Sequence, residues 1–236
     1  MTDTSPSMTR RTVLWAIATG GALAASTAVV ACGTNPSSSG TGTGTTTPSG
    51  DPAPGTLVMV IRHGEKPGSA SSLPGHDENG NPDDSSLTDI GWNRARELAD
   101  VFDPGQGPSR PGLASPKAIY AAGANDNGEG ARTRETVKPL ADRLGIAVNT
   151  KFGKGDEESL VKAVSAQPGP TLISWQHGEI PAIAEAFGSV TPTPPQDWPD
   201  DRFDMVWTFT ATANGWRFAQ VPELALPGDK ASVIKN

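Results

Sequence analysis

Two short apolar runs, Thr56 to Ile61 and Thr171 to Trp175, each open directly into a loop carrying a histidine and a glycine. The first leads into Arg62-His63-Gly64-Glu65 and the second into Gln176-His177-Gly178-Glu179. A continuous apolar run of five or six residues, with no polar alternation, is the pattern of a strand buried on both faces, and such strands belong to parallel sheets covered by helices. If the two strands are parallel, both imidazoles share one edge of one sheet. Open α/β folds build their sites at that edge, where loops leave the carboxyl ends of the strands.

The intervening segments supply the helices. Thr88 is an N-cap with Asp89 in the first turn, and Leu87, Ile90, Ala95, Leu98, Ala99 and Phe102 recur at helical spacing until Pro104-Gly105. Lys117 to Ala121 is a second strand. Ala131 to Leu144 forms a second helix closed by Gly145, and a third runs from Asp156 to Gln167. Pro181 suits the first turn of a helix ending at Gly188. Met205 to Ala211 and Trp216 to Gln220 flank Asn214-Gly215, the signature of a type I′ hairpin. The expected fold is α/β: a three-layer sandwich with a mostly parallel central sheet, helices on both faces, and a C-terminal hairpin at the sheet edge.

Ahead of this domain, Thr9-Arg10-Arg11-Thr12 opens a small and apolar run that ends at Ala31-Cys32-Gly33. A basic start, an apolar stretch and small residues before a cysteine resemble a bacterial twin-arginine export signal joined to a lipoprotein signal. Residues 1–32 would then be the signal peptide, and Cys32 the lipidated residue that anchors the chain on the outer face of the cytoplasmic membrane. Residues 33–55 are almost entirely Gly, Ser, Thr, Pro and Asn, too polar to pack, and read as a flexible spacer. The remainder, 56–236, is one catalytic domain.

Charge narrows the partners. The chain carries −7, and losing Asp3, Arg10 and Arg11 with a leader leaves 17 basic against 25 acidic residues. Nucleic acid is disfavoured, because binding a phosphate backbone needs clustered Lys and Arg. An anion-binding pocket here must gather its few arginines locally. With Cys32 the only cysteine, neither a disulfide framework nor a thiolate metal cluster is available. Asp77 to Asp83 superficially resembles a calcium loop, but Pro82 stands where a glycine is required. The sequence leaves the oligomeric state open.

Arg62-His63-Gly64, then Leu87-Thr88-Asp89-Ile90-Gly91 with Arg94-Ala95, then Arg132-Thr133-Arg134-Glu135-Thr136, then His177-Gly178 occur in an order and spacing that resemble the histidine phosphatase superfamily, over about residues 56 to 190. The family's Ser-Pro before the second arginine is replaced by the longer Ala122 to Gly130 loop. The resemblance implies a phosphoryl clamp of Arg62 and Arg132, a nucleophilic His63, and a His177 that stabilises the transferring group. Arg134 is the weaker candidate, since two residues apart on a helix point to different sides. The residue chemistry agrees: guanidinium forks bind phosphate bidentately, and a neutral imidazole can accept a phosphoryl group covalently. No metal or cofactor is needed, because two arginines and a histidine neutralise the group.

An alkoxide leaving group requires a proton. Glu65 leads narrowly as donor, Glu179 follows, and Asp156, Glu157 and Glu158 also compete. The expected activity is hydrolysis of a small-molecule phosphomonoester through a phosphohistidine on His63. One alternative is an inactive phospho-ligand-binding module of the same fold. A phosphoglycerate mutase-like phosphotransferase is the other, and an export leader argues against it.

Overall fold

The computed structural model of the chain describes residues 52–69, 72–124 and 130–235. The leader, Cys32 and nearly all of the spacer lie outside these residues, as does much of the Ala122 to Gly130 loop. Among the described residues no helix is long and apolar enough to cross a membrane.

In chain order the elements are β1 (Leu57–Arg62), β2 (Gly75–His76), β3 (Leu87–Thr88), α1 (Asp89–Phe102), β4 (Ala118–Ala121), α2 (Ala131–Leu144), β5 (Val148–Asn149), α3 (Glu157–Ser165), β6 (Thr171–Trp175), a 3-10 turn (His177–Glu179), α4 (Ile180–Ala186), β7 (Val190–Thr191), β8 (Met205–Thr212) and β9 (Gly215–Pro222). The central sheet has the order β5-β4-β6-β1-β8-β9-β7. Its first four strands are parallel. The β8/β9 hairpin extends it antiparallel on the far side of β1, and the two-residue β7 lies outside β9.

The strand pleat sends successive side chains to opposite faces, and β1 divides the core accordingly. Met59 and Ile61 pack with Leu98, Phe102, Val137 and Leu140 of α1 and α2. Val58 and Val60 pack with Leu160, Val164, Ile180 and Ile183 of α3 and α4 on the other face, together with Trp175, Trp207 and Phe209. The hairpin tryptophans are core residues: Trp207 and Trp216 are both buried. β1 therefore leads into a helix on one face while its neighbour β6 leads into a helix on the other. Their outgoing loops diverge, and this opens the crevice that such a switch of direction creates.

Local signals explain most element ends. Thr88 Oγ1 accepts from Gly91 N at 3.3 Å and caps α1. Gly145 closes α2 at φ 64°. Asp156 precedes α3 as expected, but its carboxylate accepts from Gly153 N at 3.0 Å and does not cap the helix. The type I′ hairpin is overturned. Thr212 pairs with Gly215, so Ala213 and Asn214 are the central residues; neither has a positive φ, and Gly215 carries φ 114°. Thr212 Oγ1 accepts from Asn214 N at 3.3 Å, favouring a turn whose glycine follows the central pair.

Candidate active site

His63 donates its backbone N–H to the Trp175 carbonyl at 3.1 Å, one step beyond the Arg62–Trp175 register. This continuation of the β1/β6 ladder places the two histidine loops side by side. His63 and His177 line one cavity of about 140 Å³ with Arg132, Lys66, Lys154 and Gln176, and the first turn of α2 contributes Gly130 and Thr133. Three cationic side chains thus converge in a chain whose net charge is −7. The N-cap of α2 is Gly130, which has no side chain to cover the first turn. The positive end of that helix adds to the field.

The nucleophile loop is held by several backbone contacts. Gly64 N donates to Thr136 Oγ1 at 2.8 Å, and that hydroxyl donates to the Arg132 carbonyl at 2.7 Å. Thr88 donates to the Glu65 carbonyl from its backbone N at 3.0 Å and from Oγ1 at 3.2 Å. Glu135 of α2 accepts from Ser86 Oγ and from Leu87 N. Arg132 donates from Nε to the Ser86 carbonyl and from Nη2 to the Asp84 carbonyl, which ties the long polar loop to the cavity rim. Within that loop Asp77 accepts from Asn79 and Asn81 and closes its own turn. Among the described residues no group of three or more His, Cys, Asp or Glu is arranged to hold a metal ion.

His63 Nδ1 lies 2.8 Å from the Gly64 carbonyl. A carbonyl only accepts, so Nδ1 carries the proton and Nε2 keeps its lone pair. Burial, reinforced by the charges of Arg62 and Arg132, lowers the His63 pKa to about 3 against the pull of that hydrogen bond, so the ring is neutral. His177 presents Nε2 to Asp200 Oδ1 at 2.6 Å, while its Nδ1 is buried without a hydrogen-bond partner. Burial and the Arg62 charge lower its pKa, and Asp200 opposes them.

Arg62 is not in the cavity lining. Its Nη1 donates to the carbonyls of Pro199, Asp200 and Arg202 at 3.2, 2.8 and 3.1 Å, and its guanidinium carbon sits 3.7 Å over the Phe203 ring. Burial lowers its pKa to about 10, which leaves it charged at neutral pH and close enough to depress both histidines. Arg134 lies apart from His63, in a pocket with Ala122, Ala131 and Thr150.

The structure does not bring the favoured acid to the cavity. Glu65 turns to Arg94, accepting from Nε at 3.1 Å and from Nη2 at 2.8 Å, and it lines a different cavity beside Asp229 and Phe203. The buried Arg94 guanidinium needs carboxylate partners, and Glu65 of the nucleophile loop is one of them, at the same 2.8 Å as Asp229. Glu157 is likewise committed to Gly155 N and Trp175 Nε1. Glu158 is exposed. Glu179 pairs with Lys154 at 2.6 Å. Asp200 and Phe203 went unnoticed in the sequence, because they sit in an irregular Pro- and Asp-containing connection with no periodicity to mark them.

No family model and no curated protein matches the sequence. Solved structures do. The chain is similar to the protein histidine phosphatase SixA complexed with tungstate, at 14% identity over 71% of this chain and 97% of that one, with a TM-score of 0.46. It is similar to a mycobacterial glucosyl-3-phosphoglycerate phosphatase complexed with VO3, at 15% identity over 70% and 97%, TM-score 0.44. A third is the putative phosphohistidine phosphatase SixA from Agrobacterium tumefaciens, at 17% identity over 70% and 94%, TM-score 0.42.

Proposed function

We propose that the chain is a histidine phosphatase that hydrolyses small phosphomonoesters through a phosphohistidine on His63. The hydrogen bond from His63 Nδ1 to the Gly64 carbonyl carries this reading, since it reserves Nε2 as a neutral nucleophile in a cationic cavity. His63 Nε2 attacks phosphorus, and Arg132, Lys66, Lys154 and the α2 N-terminus offset the charge of the phosphoryl oxygens. Water then hydrolyses the phosphohistidine. At about 140 Å³ the cavity suits a phosphoryl group and leaves the organic part of the ester outside.

The leader, with its twin arginines and Cys32, supports work outside the cytoplasm on a lipid tether. A phosphate-binding module without turnover is a second reading, favoured by the commitment of Glu65 and Glu157 to buried partners. The deciding assay compares the purified chain with His63→Ala on a chromogenic aryl phosphate. Wild-type turnover with an acid-labile phosphoryl label, both absent from the variant, is expected. Equal hydrolysis by the two proteins would reject His63 as nucleophile, and no hydrolysis by either on a broad ester panel would favour the binding module. Cys32→Ala should move the protein out of the membrane fraction.

A further inference from the structure

We propose that Asp200 protonates the leaving group, an assignment that rests on the phosphatase reading above. Its main chain is fixed next to the nucleophile strand, because Arg62 Nη1 holds the Asp200 carbonyl at 2.8 Å together with those of Pro199 and Arg202. Its side chain is 91% exposed and reaches His177 Nε2 at 2.6 Å. The carboxyl is therefore anchored at its root, free to turn at its tip, and beside a residue of the cavity wall.

The other candidate acids are each engaged by a cation, an indole or a backbone N–H. Arg94 holds Glu65, the Lys154 ammonium holds Glu179, Trp175 Nε1 and Gly155 N hold Glu157, and Gly153 N holds Asp156. The partner of Asp200 is an imidazole, which can itself take or yield a proton. Exposed ion pairs are weak, so a phosphoryl oxygen competes readily for His177 Nε2–H and releases the Asp200 carboxyl at the cavity mouth. The organic part of the ester must stand at that mouth, because the cavity has room for little more than the phosphoryl group.

The proton count closes over the two half-reactions. The His63 Nε2 lone pair forms the N–P bond while the ester P–O bond breaks, its electron pair staying on the ester oxygen. Asp200, released from His177 and protonated by solvent at the open mouth, passes that proton to the ester oxygen, the alcohol departs, and Asp200 is left as a carboxylate. A water oxygen then bonds to phosphorus and gives its proton to Asp200. The N–P electron pair returns to His63, and inorganic phosphate is released.

The test compares Asp200→Asn with Glu179→Gln on p-nitrophenyl phosphate and on an alkyl phosphate such as glycerol 2-phosphate. The aryl group leaves without help and so also reports folding. For Asp200→Asn, kcat/KM on the alkyl ester should fall by about 100-fold or more while the aryl rate stays within roughly threefold. Glu179→Gln should keep the alkyl rate. Equal losses on both esters, or an alkyl loss in Glu179→Gln alone, would overturn the assignment. So would an intact alkyl rate with tighter inhibition by inorganic phosphate, which would make Asp200 an internal competitor for His177. A wild-type chain that hydrolyses neither ester would overturn the phosphatase reading as well, and is told apart because the other failures require an active wild type.

Discussion

Gly64 and Gly91 meet backbone to backbone: a Cβ on Gly64 would lie 3.0 Å from the Gly91 carbonyl oxygen and 3.1 Å from its Cα. The contact is reciprocal, since a Cβ on Gly91 would be driven into the Glu65 backbone. The glycines of Arg62-His63-Gly64 and of Thr88-Asp89-Ile90-Gly91 therefore serve one purpose, the close approach of the first turn of α1 to the loop that carries the nucleophile.

Replacing Gly91 by alanine should consequently act on the site through the loop. Overpacking of this kind typically costs about 1 to 3 kcal/mol, and here only backbone can move aside. Denaturant melts should show a loss in that range, and phosphate binding should weaken further at a temperature where Gly91→Ala is still folded. An unchanged melt would mean that the loop yields freely.

Where a signal is local, it was legible in the sequence. Thr171–Trp175 and Ala131–Leu144 form over the expected residues, because an unbroken apolar run and a terminal glycine act within a few positions. The convergence of His63 and His177 also followed from reading two buried strands as parallel. Pairings between distant segments were not legible. Glu65 emerges from the proposed strand end as expected, yet its carboxylate is claimed by Arg94, which also binds Glu223 and Asp229. Nothing near Glu65 in the chain announces that competition. Asp200 reaches His177 from a loop whose carbonyls Arg62 holds from across the chain. The hairpin turn misled for the opposite reason: an Asn-Gly pair permits a type I′ turn, but the Thr212 hydroxyl favours the neighbouring register.

The His63 ring should not titrate in the neutral range. Its pKa is lowered to about 3, chiefly by burial. A free histidine titrates near 6.5, so between about pH 6.5 and 3 the unfolded chain holds a proton that the native chain refuses, and stability is lost as pH falls through that window. In NMR titrations the His63 ring signals should stay fixed from pH 8 to 5. His63→Phe should remove part of the acid sensitivity of the melt.

Arg132 and Arg134 should separate cleanly. Arg132 lines the cavity with His63 and His177, whereas Arg134 is exposed beside another pocket. Removing a charged hydrogen-bond donor from a phosphate typically costs about 1.5 to 3 kcal/mol, or roughly 10- to 150-fold. Arg132→Ala should weaken competitive inhibition by inorganic phosphate by that factor, and Arg134→Ala should leave it near the wild-type value. Equal effects would place the clamp elsewhere.

The last prediction concerns the charge buried behind the nucleophile loop. Arg94 faces three carboxylates, from Glu65, Glu223 and Asp229, at 2.8 to 3.0 Å. One cation cannot neutralise three anions, and Glu223 is fully buried with Oε1 unpartnered. Burial raises its pKa to about 8, with the Asp229 and Glu65 charges adding to the effect and Arg94 opposing it. Below about pH 4.5 the folded and unfolded chains both hold this proton. Between 4.5 and 8 only the folded chain does, so this group's contribution makes stability fall as pH rises across the window, by at most about 1.4 kcal/mol per pH unit. Glu223→Gln keeps the shape, supplies a neutral partner and abolishes the titration. Stability measured by urea melts from pH 5 to 9 should therefore decline less steeply in the variant, with the difference between the two proteins shifting toward the variant as pH rises. Parallel curves would show that Glu223 is ionised throughout. Its orphaned oxygen would then be sustaining a full charge behind the site.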